Sequence, residues 1–400
     1  MIIFANDSII PVIMFHSVGL NDYPWIYSHL SEPLKLFKAK MEILKKKGFN
    51  TIFLEDLYNH VSGRKILKGK NIVLTFDDGF LDNWVYVFPI LKKFGFKATI
   101  FISPEFIDPE QIIRPTLDED PSLPPKKALG FMSWAEIEKM YKSGLIDFQS
   151  HTMTHTWYFC SEKIVDFHHP GDRYPWLIWN KYPKLKPKFF QEDFSEIVPY
   201  GYPIFEYKRA IVCRRFYPCE ELIQKLLDFA SLQPPDFWKG NYLETLKNRF
   251  IEISQTFPNK GCFETQEEYV KRIRWELEES RQIISHRLNK PVDFLCWPGG
   301  AYNEIALKMA REVGYKACTL SSRDKTRYRN KPGGEAFYIK RMGSFIRKGT
   351  RYGDLGPGNA RYFYHRVREH QGSLYFKLRI KFDHLLSLFK FFLFLKKTER

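Results

Sequence analysis

Two short runs carry residues whose types and spacing suit metal-assisted hydrolysis. The first is Thr75-Phe76-Asp77-Asp78-Gly79, which follows the apolar stretch Ile72-Val73-Leu74. Successive strand residues face opposite ways, so two adjacent carboxylates cannot serve one pocket from a regular strand. Gly79 lifts that limit, because glycine tolerates positive φ and lets the chain turn directly after the pair. Two close carboxylates repel unless a cation or proton intervenes. One on a metal and the other beside its water resolves the conflict, although an isolated Asp-Asp-Gly is more often a solvated turn.

The second run is His151-Thr152-Met153-Thr154-His155, again just past a strand-like stretch. On a helical turn, i, i+4 spacing puts both imidazoles on one face, where they can share a divalent ion. A lone histidine pair is more often hydrogen-bonded or exposed. With Asp78 it forms a set of two His and one carboxylate, which leaves coordination sites open for water and substrate.

Something must hold these runs together, and the elements around them alternate between strand-like and helix-like. The pattern is that of an α/β protein with a mostly parallel sheet. Strands are expected at 10–15, 51–54, 71–78, 97–102, 146–149, 292–297, 316–320 and 337–342. Helices are expected from about Glu32 to Lys47, opened by Ser31, and from about Asp82 to Phe94. Capping boxes at Ser133/Glu136 and Thr265/Glu268 start two more, and Asn303 to Val313 ends at Gly314. Between 157 and 262 the alternation weakens into a stretch rich in Tyr, Trp, Pro and Lys, with one clear helix near 220–230. This reads as a mostly irregular or helical insertion that caps a groove. Without the insertion and the tail, roughly 240 residues of β and α units remain, the usual size of a (β/α) barrel, where chemistry sits at the C-terminal ends of strands.

Across its 400 residues the chain carries a formal net charge of +16, which favours anionic partners. No recognisable nucleic-acid module accompanies that charge, so nucleic acid is not an expected partner. None of the six cysteines forms a C-x-x-C pair, and six scattered thiols fit a reducing compartment. The first residues lack the basic start of an export signal, and the expected location is cytoplasmic. Residues 361–400 contain ten Lys or Arg against three Asp or Glu, interleaved with Leu and Phe. That tail, 351–400, fits either a basic amphipathic helix lying at the inner membrane face or a helix docked on the barrel.

TFDDG followed by SHTMTH resembles the polysaccharide deacetylase family, carbohydrate esterase family four, over most of residues 8–156 and 263–345. The resemblance implies a distorted (β/α) barrel spanning 1–350, interrupted by the insertion. It further implies Asp77 as general base, with Asp78, His151 and His155 as ligands to a divalent metal. That metal is usually zinc, with cobalt, nickel or manganese as alternatives. Val12-Ile13-Met14-Phe15-His16-Ser17-Val18 is similar to the start of the poly-N-acetylglucosamine deacetylase branch, whose barrel is circularly permuted. By that likeness His16 is the general acid. An imidazole titrating near ~6.5 suits proton donation to a departing amine. A strand-terminal His packed under a loop is the alternative.

The family's third motif, Arg-x-Pro-aromatic-Gly, is matched only by Cys296-Trp297-Pro298-Gly299-Gly300. Cys296 stands in the arginine's place and Gly299 in the aromatic's, which leaves Asp77 without its orienting cation. Arg341, on the last expected strand, is the substitute. The Gly299 N–H can still donate to an oxyanion, and Trp297 either lines a sugar pocket or joins the core. The expected activity is metal-dependent removal of an N-acetyl group from a carbohydrate, free or lipid- or nucleotide-linked, in surface-polysaccharide or envelope-glycan metabolism. An O-acetyl ester or non-sugar amide could use the same site, and an inactive glycan-binding or membrane-associated scaffold is the reading from another class.

Overall fold

The computed structural model describes residues 5–172, 174–188, 195–320, 328–344 and 359–385. Before the insertion the strands are β1 (Val12–Phe15), β2 (Ser17–Val18), β3 (Ser31–Glu32), β4 (Asn50–Thr51), β5 (Asn71–Phe76), β6 (Ala98–Ile102) and β7 (Ile146–Ser150). Inside it lie β8 (Trp157–Phe167), β9 (Pro203–Arg209), β10 (Phe216–Pro218) and β11 (Gly261–Phe263). After it come β12 (Phe294–Leu295), β13 (Ala317–Thr319), β14 (Tyr338–Ile339) and β15 (Met342–Gly343). The main sheet is parallel and runs β14-β13-β12-β7-β6-β5-β1-β15, with β4 also paired to β5. Its two end strands are separated in the chain only by Lys340 and Arg341. The edges therefore lie side by side, and the sheet curls into the expected barrel.

Every residue of β5 and β6 is buried, as parallel strands covered on both faces require. Val12, Val73, Phe101, Phe294, Ala317 and Ile339, from six strands, meet in one apolar cluster that fills the barrel. The alternate residues Ile13, Leu74, Ile100 and Leu295 face outward into a larger core shared with the helices. Those helices include α1 (Leu34–Lys46), α2 (Leu54–Val61), α3 (Phe88–Phe94) and α4 (Trp134–Lys142). The insertion adds α5 (Trp176–Lys181), α6 (Glu220–Ser231) and α7 (Tyr242–Ser254), and α8 (Gln266–Leu288), α9 (Glu304–Val313) and α10 (Ala360–His370) follow. Both expected capping boxes form, at Ser133/Glu136 and Thr265/Glu268.

Several local expectations shift. Ser31 does not cap α1; it sits in β3, its hydroxyl accepts from the Leu20 N–H, and Pro33 takes the cap position. The strand expected at 51–54 is cut to β4, because Leu54, Leu57 and Val61 recur at helical spacing and plug the barrel end as α2. The last strand breaks at Lys340–Arg341, since its two halves pair with opposite edges of the sheet. Residues 157–262 are more regular than the weakened alternation suggested: β8 and β9 pair antiparallel, with register shifts that obscure their period.

At the C-terminal end, α10 docks through Tyr362, Phe363 and Val367, all buried, and Lys40 of α1 lies 5.1 Å from the Phe363 ring centroid. Residues 374–385 form a further helical segment that leaves Leu374, Leu378, Phe382 and Leu385 exposed. Among the described residues no helix is long and apolar enough to cross a membrane. Residues 351–358 and 386–400 of the expected tail lie outside the described residues.

Candidate active site

The C-terminal ends of β1, β5, β7, β12 and the β14–β15 break converge on one rim, where a cavity of about 480 Å³ opens. All eight residues singled out from the sequence line it: His16, Asp77, Asp78, His151, His155, Trp297, Gly299 and Arg341.

The Asp-Asp pair is split as the glycine suggested, although Gly79 does not act alone. Asp78 itself adopts φ 76° and Gly79 φ 74°. Gly79 is further constrained by space, since a Cβ there would lie 2.9 Å from Ile102 Cγ2. Asp78 Oδ1 reaches 3.4 Å from His151 Nε2 and 3.3 Å from His155 Nε2. The two histidines do not meet on a helical turn. Residues 151–156 form an irregular bend with Thr152 at φ 67° and His155 at φ 46°. Left-handed geometry is costly for a β-branched threonine and persists only where its surroundings impose it. The surroundings do so here. Glu276 of α8 accepts the N–H groups of Met153 and Thr154, each at 3.0 Å, and the Thr154 hydroxyl at 2.5 Å. Lys186 holds the Thr154 carbonyl from the other side.

The donor set fits a divalent metal. His151 Nδ1 lies 2.7 Å from the Cys296 carbonyl oxygen. A carbonyl only accepts, so Nδ1 carries a proton and Nε2, turned to Asp78, is the nitrogen a metal would take. Burial lowers this imidazole, but Cys296, Asp78 and Asp77 outweigh it and hold it well above its ordinary value. Ligand atoms of Asp78, His151 and His155 all lie within 4.8 Å of one another. Asp77, His151 and Cys296 also cluster within that distance, but both Asp77 oxygens are engaged elsewhere. Burial raises the Asp78 carboxyl, yet His155 and His151 outweigh this and hold it well below the usual carboxylate range. Burial, opposed by Asp78 and reinforced by Arg209, keeps His155 well below an ordinary imidazole, so it is available as a neutral ligand.

Asp77 is 2% exposed and lies against Arg341, with Nη1 to Oδ1 2.7 Å and Nη2 to Oδ2 2.9 Å. Arg341 thus supplies Asp77 with a cation from the seam of the barrel. Cys296, small enough to leave it room, sits beside the pair: its Sγ lies 3.0 Å from Arg341 Nη2 and 3.6 Å from Asp77 Oδ2. Burial pushes Asp77 up, but Arg341, aided by His151 and His16, holds it below the usual range. His16 Nε2 stands 3.8 Å from Asp77 Oδ2, and its side chain is 23% exposed at the cavity. Its backbone is pinned by Asn83, whose amide donates to the His16 carbonyl at 2.9 Å. Asp82 holds the next two residues through the Ser17 hydroxyl and the Val18 N–H. Trp297 is fully buried and belongs to the core, while forming part of the cavity wall.

Other groups at the site were not singled out one by one in the sequence, which marked only the aromatic insertion that carries them. The insertion contributes Trp157, Trp176, Trp179, Tyr207 and Arg209 to the cavity. Trp179 stacks 6.5 Å from Tyr27, and Trp157 lies 6.1 Å from Trp179. Arg209, opposite Trp157 in the β8–β9 register, lays its guanidinium 3.5 Å from that ring's centroid. Burial pulls this guanidinium down to about 10, against the opposing influence of Asp78 and Tyr27.

The chain is similar to several known proteins. The BpsB deacetylase domain of Bordetella bronchiseptica superposes with a TM-score of 0.50 at 20% identity, covering 84% of this chain and 97% of that one. A de-N-acetylase from Aggregatibacter actinomycetemcomitans gives 0.49 at 16% identity, over 83% and 93%. The Bacillus subtilis protein YxkH, whose name marks it as an inferred polysaccharide deacetylase, is 34% identical over 93 residues. That match covers 23% of this chain and 31% of the relative, so it spans about a third of the relative's length. The family model described as polysaccharide deacetylase matches residues 64–196 and 256–318. The match takes in Asp77, Asp78, His151, His155 and Cys296, omits the middle of the insertion, and starts after the strand bearing His16. By that family model, residues 64–196 and 256–318 form a domain of the polysaccharide deacetylase family.

Proposed function

We propose that this protein hydrolyses the N-acetyl group of a carbohydrate, with Asp78, His151 and His155 holding a divalent metal, zinc by preference. One observation carries the reading: Asp78 lies within 3.4 Å of both imidazole Nε2 atoms, on the cavity that also presents Asp77 and His16. When bound, the metal supplies Lewis-acid polarisation of the acetamide carbonyl and acidifies a water. Asp77 takes the water's proton as its oxygen adds to the carbonyl carbon. The carboxylate is a weak base, held low by Arg341, so it suits an acidified water and not an ordinary one. The Gly299 N–H donates to the developing oxyanion. His16 delivers a proton to the sugar nitrogen as the C–N bond breaks, and acetate and a free amine leave. The wall formed by Trp157, Trp179 and Tyr27 supplies flat faces for a sugar ring, and the insertion acts as the cap of the groove.

The reading extends to a lipid-linked substrate in envelope-glycan assembly and to a cytoplasmic protein at the membrane's inner face. Leu374, Leu378, Phe382 and Leu385 form an exposed stripe at helical spacing, with Lys377, Arg379 and Lys381 on the same segment. Such a segment suits peripheral contact with an anionic bilayer. Sedimentation with anionic vesicles tests this part, which fails if protein lacking 374–400 binds as well as the full chain. The main reading is tested by measuring acetate released from N-acetylated and O-acetylated sugars, before and after chelation. Release from O-acetyl esters alone, or none from any sugar with metal loaded, overturns it.

A further inference from the structure

Arg209 is used by nothing in the mechanism above, and its surroundings are unusual for a cation. It is supplied by the insertion, at the end of β9, and lines the cavity. A Cβ built on Gly299 would lie 2.8 Å from Arg209 Nε and 2.9 Å from Nη2, so the guanidinium rests directly on that glycine. Residue 299 thus has a second reason to lack a side chain, besides its φ of 60°. Yet Nη1 is buried without a hydrogen-bond partner.

The other charges lining the cavity are already committed. Arg341 is neutralised by Asp77 through two hydrogen bonds. Asp78 faces the two imidazoles. Once those three ligands hold a divalent cation, the positive charge of Arg209 has no counterpart. A buried charge left unpaired is costly. Stacking on Trp157 fixes the plane of the guanidinium but satisfies none of its N–H groups. Trp179, also on the cavity, has a buried Nε1–H without an acceptor. The capping side of the pocket is therefore rich in donors and calls for acceptor oxygens.

We propose that Arg209 is the receptor for an oxyanion on the substrate itself, a phosphate ester or carboxylate attached to the N-acetylated sugar. The enzyme then selects anionic sugars over neutral ones. The inference rests on the deacetylase reading for its reaction but not for its binding site. A planar guanidinium pairs with two oxygens of such a group at once, which a lysine cannot reproduce. The same chemistry is offered by a nucleotide-linked sugar, a lipid diphosphate-linked sugar and a uronic acid.

The test measures binding separately from turnover. Metal-loaded Asp77→Asn protein is titrated calorimetrically with methyl N-acetylglucosaminide, N-acetylglucosamine 1-phosphate, UDP-N-acetylglucosamine, a short-chain isoprenyl diphosphate N-acetylglucosamine and an N-acetylated uronic acid. Arg209→Gln and Arg209→Lys are made in the same background. At least one anionic sugar should bind about tenfold to a hundredfold more tightly than the neutral one. Arg209→Gln should erase that preference, and Arg209→Lys should keep only part of it. Which anionic sugar binds best separates the three sources. Equal affinity for neutral and anionic sugars, or a preference that survives Arg209→Gln, overturns the proposal. So does a fall in kcat of otherwise native Arg209→Gln that is equal on neutral and anionic substrates, which would place the guanidinium on the reacting carbonyl. Absence of acetate release from every sugar would sink the deacetylase reading alone, because the binding preference is read without it.

Discussion

Arg341 grips Asp77 through both carboxylate oxygens, at 2.7 and 2.9 Å, from the point where the two edges of the sheet meet. The segment that follows β12 and carries the third motif offers only Cys296 there. The cation reaches the same carboxylate from a different strand. A two-point hold fixes the plane of the carboxylate, so one lone pair remains aimed at the cavity.

Replacing Arg341 by methionine should therefore lower kcat by about 10²-fold or more, on the scale of positioned acid–base catalysis. Metal content measured by emission spectrometry should be unchanged. The buried Asp77 charge would also lose its partner, so the melting temperature should fall as well. Adding Asp77→Asn to that variant should restore stability without restoring turnover. Unchanged kcat in Arg341→Met would show that Asp77 needs no orienting cation.

Asp77→Asn and His151→Ala should fail in different ways. The amide keeps the shape of Asp77 but cannot take a proton, so turnover should drop at least about 10²-fold while metal stays bound. His151→Ala removes an imidazole whose Nε2 faces Asp78, and it should lose metal and activity together. Metal analysis beside single-turnover rates checks both, and an active Asp77→Asn protein would remove the base assignment.

Glu276 does not line the cavity, yet it holds the bend between the histidines through three hydrogen bonds. Glu276→Ala removes both carboxylate oxygens, and with them every acceptor that holds the Met153 and Thr154 N–H groups and the Thr154 hydroxyl. Metal affinity should weaken by about 10- to 100-fold, the usual effect of disturbing the partners that orient metal ligands. Competition against a fluorescent chelator measures this. Unaltered affinity would mean that the strained bend holds itself.

Asp82 is wholly buried. Burial, only partly offset by Ser17, Val18 and Asn83, raises its carboxyl to about 7. An unfolded aspartate titrates near ~3.9, so between these values the folded chain keeps a proton that the unfolded chain has released. The stabilisation from this group is fully present below about pH 4 and is lost as pH rises through 7. Asp82→Asn can keep the Val18 and Asn83 bonds on its oxygen and donate to the Ser17 hydroxyl. The variant should gain on the parent as pH rises, reaching on the order of 2 kcal/mol above pH 7. Urea midpoints at pH 5 and pH 8 check this, and a difference independent of pH would contradict a buried proton.

The grouping of Asp78 with His151 and His155 was legible in the chain because its logic is local. Asp77-Asp78-Gly79 needs a turn within three residues, and His151 and His155 lie four apart on one bend. Even so, the turn chosen was not the helical one: Glu276, more than a hundred residues downstream, pulls the bend into left-handed geometry. The capping boxes and glycine stops were readable for the same reason, since each is closed by atoms within a few residues. Helix α2 was hidden because Leu54, Leu57 and Val61 extend a short apolar run that period alone does not assign. The weak alternation of β8 reflects its register shifts.

Arg341 was recognisable only as a basic residue on a late strand. Its grip on Asp77 spans 264 positions and exists because the sheet curls until its two edges lie together. Arg209, Trp157 and Trp179 reach the cavity because an antiparallel pair folds back over the barrel mouth. Spacing in a sequence specifies which neighbours share a turn; which distant side chains share a cavity is set by the curvature of the whole sheet, and that exists only once the barrel has formed.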